Sequence, residues 1–293
     1  MQAQAGEFTA KGLGLAGISY DSPAVLAEFG RRYGITFPLL SDEGSATIKA
    51  YGILNTVAYE ALGAGKGDAA LAADIGRYVS SLSPNAANLV KGTPFPGNFV
   101  IDRQRRVTSR FFEDYYRERD TAASILLRLG GGSPPVQATR ISTAHAEITT
   151  YPSDREVAPG NRFSLVIAIT PALNAHVYAP GAKGYRVVKV DIDPQPFVRV
   201  LPLHYPASEI YFFRPLNERV PVYRKPFTLL QEVVPEVSVE AEKALEQKKS
   251  LTFTGTLEYQ ACDDRECFNP ASVPLLWTVA LRKNITERIA RPK

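Results

Sequence analysis

Between residues 162 and 170, Phe163, Leu165, Ile167 and Ile169 alternate with Ser164, Val166, Ala168 and Thr170. A strongly apolar face at a period of two residues is the mark of a strand with one side in a core. Shorter β-type runs recur at 144–151, 185–192, 227–234, 251–259 and 273–281, each bounded by turn residues. Strands at this spacing, without long helices between them, predict an antiparallel β-sandwich. Within this half only 238–249 reads as a helix, and its many charges suit a solvated face.

The earlier part of the chain has a different texture. Residues 13–19 read as a buried strand, 22–33 as a helix opened by Ser22-Pro23, 98–102 as another strand and 121–129 as a closing helix. Residues 56–89, rich in Ala and Gly, read as one or two helices, and 2–11 as the end of a helix. Alternating strand and helix patterns predict an α/β layer structure. Where the textures meet, Leu129-Gly130-Gly131-Gly132-Ser133-Pro134-Pro135 joins a flexible glycine run to a stiff proline pair, the composition of a linker. The expected organisation is therefore a first domain over 1–130, a linker over 131–137, a β domain over 138–285 and a tail over 286–293.

Two domains also suit 293 residues. Lys and Arg number 34 against 30 Asp and Glu, too even a balance for a nucleic-acid surface. Arg103, Arg105, Arg106 and Arg110 read as a solvated hairpin face. The sequence has no apolar run near the roughly 20 residues of a membrane span, and the start lacks the pattern of a signal peptide. A Gly-rich phosphate loop is also missing, because Gly63-Ala-Gly-Lys-Gly67 has the wrong spacing, so no cofactor is expected. His145, His176 and His204 are scattered and lack the paired spacing of a structural zinc site, so no metal is expected either.

The two cysteines, Cys262 and Cys267, both lie within six residues, leaving the first 261 without a thiol. A disulfide closing so short a loop removes only ~2 kcal/mol of chain entropy at best, a weak reason to keep it as a staple. Asp263, Asp264 and Glu266 crowd the sulfurs and disfavour thiolate, with Arg265 a partial offset. Bare spacing favours a static hairpin disulfide, whereas a pair used for exchange is expected to be attacked as a disulfide by a partner's thiolate, or to donate slowly until docked.

Leu15-Ala-Gly-Ile-Ser-Tyr-Asp-Ser-Pro23, Phe29, Tyr33-Gly-Ile-Thr-Phe-Pro-Leu-Leu-Ser-Asp42, Ala50-Tyr-Gly52 and Pro96-Gly-Asn-Phe-Val-Ile-Asp102 resemble the latter part of the peroxiredoxin (AhpC/TSA) family of the thioredoxin fold. The resemblance implies that Pro96 matches the proline beside the active-site thiol. Members carry that thiol upstream, at a helix N-terminus. On this reading the first strands and the peroxidatic cysteine precede Met1, a truncated start that also removes any signal peptide, or the domain has lost its thiol and serves as a scaffold.

Gly255-Thr-Leu-Glu-Tyr-Gln-Ala-Cys262-Asp-Asp-Arg-Glu-Cys267-Phe-Asn-Pro270, with Val273-Pro-Leu-Leu-Trp-Thr278, Asn174-Ala-His-Val-Tyr-Ala-Pro-Gly181 and Pro221-Val-Tyr-Arg-Lys-Pro-Phe227, is similar to the N-terminal periplasmic domain of the thiol:disulfide interchange protein DsbD. The similarity implies an immunoglobulin-like sandwich whose Cys262–Cys267 dithiol/disulfide passes electrons between thioredoxin-like or DsbD-like partners outside the cytoplasm. Tyrosines on the strand matching His176-Val-Tyr178 pack near the cysteines in that family. Tyr178 keeps this pattern and His176 departs from it. Tyr259 and Phe268 flank the pair, with core packing an equally open reading for Tyr178 and Tyr259; Trp277, Phe268 and Phe227 read as core, and a shielding cap loop falls within 213–223. Two alternatives stay open: a binding module with a merely structural disulfide, or peroxidase activity lodged wholly upstream with the sandwich as a targeting domain.

Overall fold

The computed structural model describes residues 1–54, 94–95, 97–112, 118–131, 138–213 and 217–284. The helices expected within 56–89, Pro96, the linker from residue 132 and part of the cap region, 214–216, lie outside the described residues. The chain falls into two compact units, one reaching from Met1 to Ile125 and the other spanning Leu126–Asn284.

In the first unit, helix α1 (Ala5–Ala10) is followed by strand β1 (Gly17–Ser19), helix α2 (Pro23–Tyr33), strand β2 (Leu39–Ser41) and helix α3 (Ala46–Ala50). Helix α2 carries its own start and stop signals. The Ser22 hydroxyl accepts the Val25 N–H, Pro23 occupies the first turn, Arg31 and Arg32 sit in the last, and Gly34 takes the left-handed conformation (φ 60°) that ends the helix. Asp42 caps α3, its carboxylate accepting the N–H groups of Thr47 (3.0 Å) and Ile48 (2.9 Å), which hold its pKa below the usual range. Strands β1 and β2 pair in parallel. Strand β1 is shorter than the run 13–19, and Ile18, expected to be buried, is 49% exposed. Its only pairing among the described residues is with β2, so one two-stranded layer does not enclose it. Strands β3 (Gly97–Ile101) and β4 (Val107–Phe112) form an antiparallel hairpin, with Arg103, Arg105, Arg106 and Arg110 all exposed on it. The short strand β5 (Arg119–Asp120) and helix α4 (Ala122–Arg128) close the sequence of elements before the β region.

The second unit is built from strands β6 (Thr139–Ser142), β7 (Ala146–Pro152), β8 (Glu156–Val157), β9 (Asn161–Pro171), β10 (His176–Tyr178), β11 (Lys189–Ile192), β12 (Val198–His204), β13 (Glu209–Phe213), β14 (Glu218–Tyr223) and β15 (Phe227–Pro235). Helix α5 (Val239–Leu245) and strands β16 (Ser250–Tyr259), β17 (Ala261–Cys262) and β18 (Ala271–Leu281) complete it. One sheet runs β12-β15-β9-β7-β6 and a second runs β11-β16-β18-β8. They share one core, in which Phe163, Leu165, Ile167 and Leu229 meet Phe253, Leu257, Leu275, Trp277 and Val279. Phe163 and Phe253 pack edge to face at 5.9 Å across it, and the buried Trp277 indole N–H is satisfied by the Val166 carbonyl.

The period-two reading of β9 holds for its core face but understates the other, since Ser164 and Val166 are also buried. Strand β9 is central in its sheet, and Val166 joins Tyr151 and Leu230 in a second cluster that Leu127 and Ala138 help to cover. Among the strands that escape the sequence patterns, β12, β13 and β14 carry Pro202, Pro221 and mixed polar residues that blur the alternation.

A third, smaller sheet runs β13-β14-β10-β17. Its registers place Val177 opposite both Tyr223 and Ala261, Tyr178 opposite Val222, and His176 opposite Cys262. Successive side chains point to opposite faces. Val177, Ala261 and Tyr223 accordingly join the main core, while Tyr178, Val220, Val222 and Cys262 form a separate cluster.

Candidate functional site

The site begins where the chain changes sheets. Strand β16 ends at Tyr259, and Gln260 then clamps the crossing: its side-chain oxygen accepts the Arg186 N–H and its nitrogen donates to the Phe268 carbonyl. Ala261 and Cys262 follow as β17 and pair with β10 rather than continuing beside β18. The cysteines therefore sit on a spur that leaves the β16–β18 ladder.

Four residues turn the chain back from Cys262 to Cys267. The Asp263 carboxylate accepts the N–H groups of Arg265 (2.7 Å) and Glu266 (2.8 Å), and the Asp263 N–H donates to the Glu266 carbonyl. This is an Asx-type turn. Those backbone donors, Glu266 first, hold the Asp263 carboxyl below its ordinary range. The Phe268 N–H closes the return on the Ala261 carbonyl, making Cys262 and Cys267 antiparallel bridge partners. Their sulfurs form a disulfide with Cα atoms 4.1 Å apart.

The two halves of that disulfide differ in exposure. Cys262 is 1% exposed within its small cluster, whereas Cys267 is an exposed residue. The Tyr178 hydroxyl lies 3.5 Å from the Cys267 sulfur. Burial, then Tyr185, pushes the Tyr178 phenol well above its ordinary pKa, so it keeps its proton and has a hydrogen to offer. Tyr185 stacks on Tyr178 with centroids 4.1 Å apart, and its hydroxyl donates to Glu218 at 2.6 Å, a bond that raises its own pKa. Tyr185 was expected inside a strand over 185–192, but the strand starts at Lys189. Gly181 and Gly184, both at positive φ, carry the chain around so that Tyr185 reaches Tyr178.

On the Cys262 side, His176 is 2% exposed and stands T-shaped to Tyr178 at 5.3 Å. Its Nε2 has no hydrogen-bond partner among the described residues. Burial lowers its pKa, Arg224 lowers it further, and Asp264 and Asp263 act in the opposite sense. Tyr211 covers the imidazole at 4.7 Å and donates its hydroxyl to Asp264, which raises the Tyr211 pKa. The Arg224 guanidinium lies over the Tyr211 ring at 5.4 Å.

Of the residues singled out from the sequence, Cys262, Cys267, His176 and Tyr178 come together. Tyr259 faces the main core and its hydroxyl bonds Thr143 at 2.7 Å. Phe268 packs against the main core beside the turn and stacks on His145 at 3.7 Å. Pro96 lies outside the described residues. The acidic side chains do not simply crowd the sulfurs, because Asp263 is engaged with the turn backbone and Asp264 with Tyr211. Sequence reasoning missed Tyr185, Tyr211, Glu218 and Arg224. A period-two count back from Val222 through Val220 places Glu218 on the Tyr178 face, and that signal was available once β14 was recognised.

Residues 1–110 match the model of the AhpC/TSA family, in agreement with the motifs of the first half. Two Mycobacterium tuberculosis proteins named as peroxiredoxins are each 49% identical over 47 residues, 16% of this chain. The match spans only 30% of those relatives' own length. Among solved structures, the chain is similar to the N-terminal periplasmic domain of ScsB from Proteus mirabilis, with 13% identity and TM-score 0.33 over 46% of this chain and 49% of that one. It is also similar to the reduced N-terminal domain of DsbD from Neisseria meningitidis, with 14% identity and TM-score 0.26 over 40% of this chain and 81% of that one.

Proposed function

We propose that the chain is an extracytoplasmic thiol-disulfide oxidoreductase in which an immunoglobulin-like β domain relays electrons through Cys262 and Cys267, in company with an AhpC/TSA-type domain. The observation that carries this reading is the asymmetry of the disulfide: one sulfur belongs to a buried residue and the other to an exposed one beside a protonated tyrosine. A bond kept only for stability gains little from a loop this short. The Tyr-Gln-Ala-Cys262 and Cys267-Phe-Asn-Pro270 signature supports the same conclusion.

In the oxidised form a partner's thiolate attacks the Cys267 sulfur, the S–S bond to Cys262 breaks, and a partner–Cys267 mixed disulfide forms while the electron pair leaves on Cys262. A second partner thiol then releases Cys267. In the donating direction the Cys267 thiolate, accepting a hydrogen bond from Tyr178, attacks a partner disulfide, and Cys262 resolves the adduct. The partners are thioredoxin-like or DsbD-like proteins with accessible thiol pairs. No helix among the described residues is long and apolar enough to cross a membrane.

Equilibration of the full chain in a glutathione series, with free thiols trapped and read by intact mass, tests the relay. A midpoint between roughly −180 and −270 mV, the span of exchange-active proteins, is the expected result. A bond still closed below about −300 mV would make the disulfide a staple.

A further inference from the structure

His176 is a buried imidazole packed between the rings of Tyr178 and Tyr211. It lies directly across the β10–β17 ladder from Cys262. Side chains of directly paired residues share a sheet face with Cβ atoms about 5 Å apart, so the His176 and Cys262 side chains, both buried, are neighbours on one face of the sheet. The groups facing the imidazole are Tyr178 from β10, Tyr211 from β13, Arg224 just after β14, and Asp263 and Asp264 from the turn. Tyr178 and Tyr211 already have partners in Cys267 and Asp264. The His176 Nε2 is buried with none among the described residues while the disulfide is closed. A buried polar atom without a partner is costly and calls for an explanation, and a redox change that supplies the partner is one such explanation.

We propose that His176 is the proton acceptor for the Cys262 thiol in the step that closes the disulfide. This rests on the relay reading. Once Cys267 has attacked a partner disulfide, the chain holds a Cys267–partner mixed disulfide and a reduced Cys262. The Cys262 S–H gives its proton to His176 Nε2, and the sulfur's electron pair attacks the Cys267 Sγ. The bond from Cys267 to the partner sulfur breaks, its electron pair leaves as the partner thiolate, and the imidazolium returns its proton to solvent. The two electrons thus pass from the cysteine pair to the partner disulfide. A buried thiol lacks water to take its proton, which is why the acceptor must be built in.

The reduced full chain mixed with the chromogenic disulfide DTNB reads this step directly, because the first thionitrobenzoate is released on attack by Cys267 and the second on closure by Cys262. In the wild type the second phase should rise with pH through the imidazole range and level off above about pH 7, well before a free thiol near 8.5 ionises. His176→Asn and His176→Gln should leave the first phase unchanged, slow the second by at least about tenfold at neutral pH, and move its pH profile up to the thiol's own ionisation. A wild-type second phase that climbs to the thiol range without levelling would overturn the proposal and needs no variant. Variants that slow with an unchanged profile, or close at the wild-type rate, would also overturn it. These phases are read on chemically reduced protein, so a staple-like potential in the glutathione series would sink the relay reading separately.

Discussion

The two faces of the small β13-β14-β10-β17 sheet differ in kind although the same strands supply both. One face gives Val177, Ala261 and Tyr223 to the main core, where the polar groups of three large aromatic side chains are matched: Tyr223 reaches the Pro206 carbonyl, Tyr259 reaches Thr143, and Trp277 reaches Val166. The other face gathers His176, Tyr178 and Cys262, with a sulfur contact at 3.5 Å and an imidazole nitrogen without a partner among the described residues. Alternation along a strand lets a face packed into the core anchor the proposed reactive one within two residues. On the proposed relay reading, the anchored face carries the stability and the other holds groups that answer a change of redox state.

Breaking the core on which the anchored face packs should have the largest effect. Trp277→Ala removes a 2% exposed indole from the shared core and should lower unfolding free energy by about 3–5 kcal/mol in urea titrations. Replacing both Cys262 and Cys267 with Ala should remove about 2 kcal/mol of loop-closure stabilisation, while abolishing thiol exchange altogether. The contrast between these two variants is the sharpest form of the comparison, since one loses stability and the other loses chemistry.

Smaller changes sharpen it further. Tyr178→Phe deletes only the hydroxyl beside Cys267 and should alter stability by about 1 kcal/mol or less. It should also shift the pH profile of Cys267 alkylation in the reduced protein upward, because the thiolate loses its donor. The least effect is expected from the imidazole. His176 has a pKa lowered by burial, so below the ordinary value of about 6.5 the unfolded chain takes up a proton more readily than the folded one. Its contribution is therefore complete above that pH and is lost as pH falls toward the folded value. Denaturant midpoints across this window should rise with pH in the wild type and flatten in His176→Asn.

Much of this arrangement is legible in the sequence where one physical signal dominates. Ser22-Pro23 and Gly34 bracket α2 with little ambiguity, and the alternating apolar residues of β9, β16 and β18 fix the strands that form the main core. The cysteine turn stands out through its flanking motif. The neighbours of the sulfurs were harder to find because they arrive from strands with weak patterns. Glu218 and Tyr211 lie on β14 and β13, where Pro221 and exposed Ile210 and Phe212 disturb the period. Tyr185 reaches the site through a glycine turn that periodicity does not encode. Tyr259, though next to the cysteine segment in sequence, faces the main core because Gln260 marks the change of sheet.

The central claim is that the two sulfurs are unequal, with Cys267 open to a partner and Cys262 held back as its buried counterpart. Brief exposure of the oxidised chain to reduced glutathione, acid quenching and peptide mass mapping would locate the first mixed disulfide. The adduct is expected on Cys267, with Cys262 recovered as the free thiol. Adducts divided evenly between the two, or found mainly on Cys262, would contradict the account.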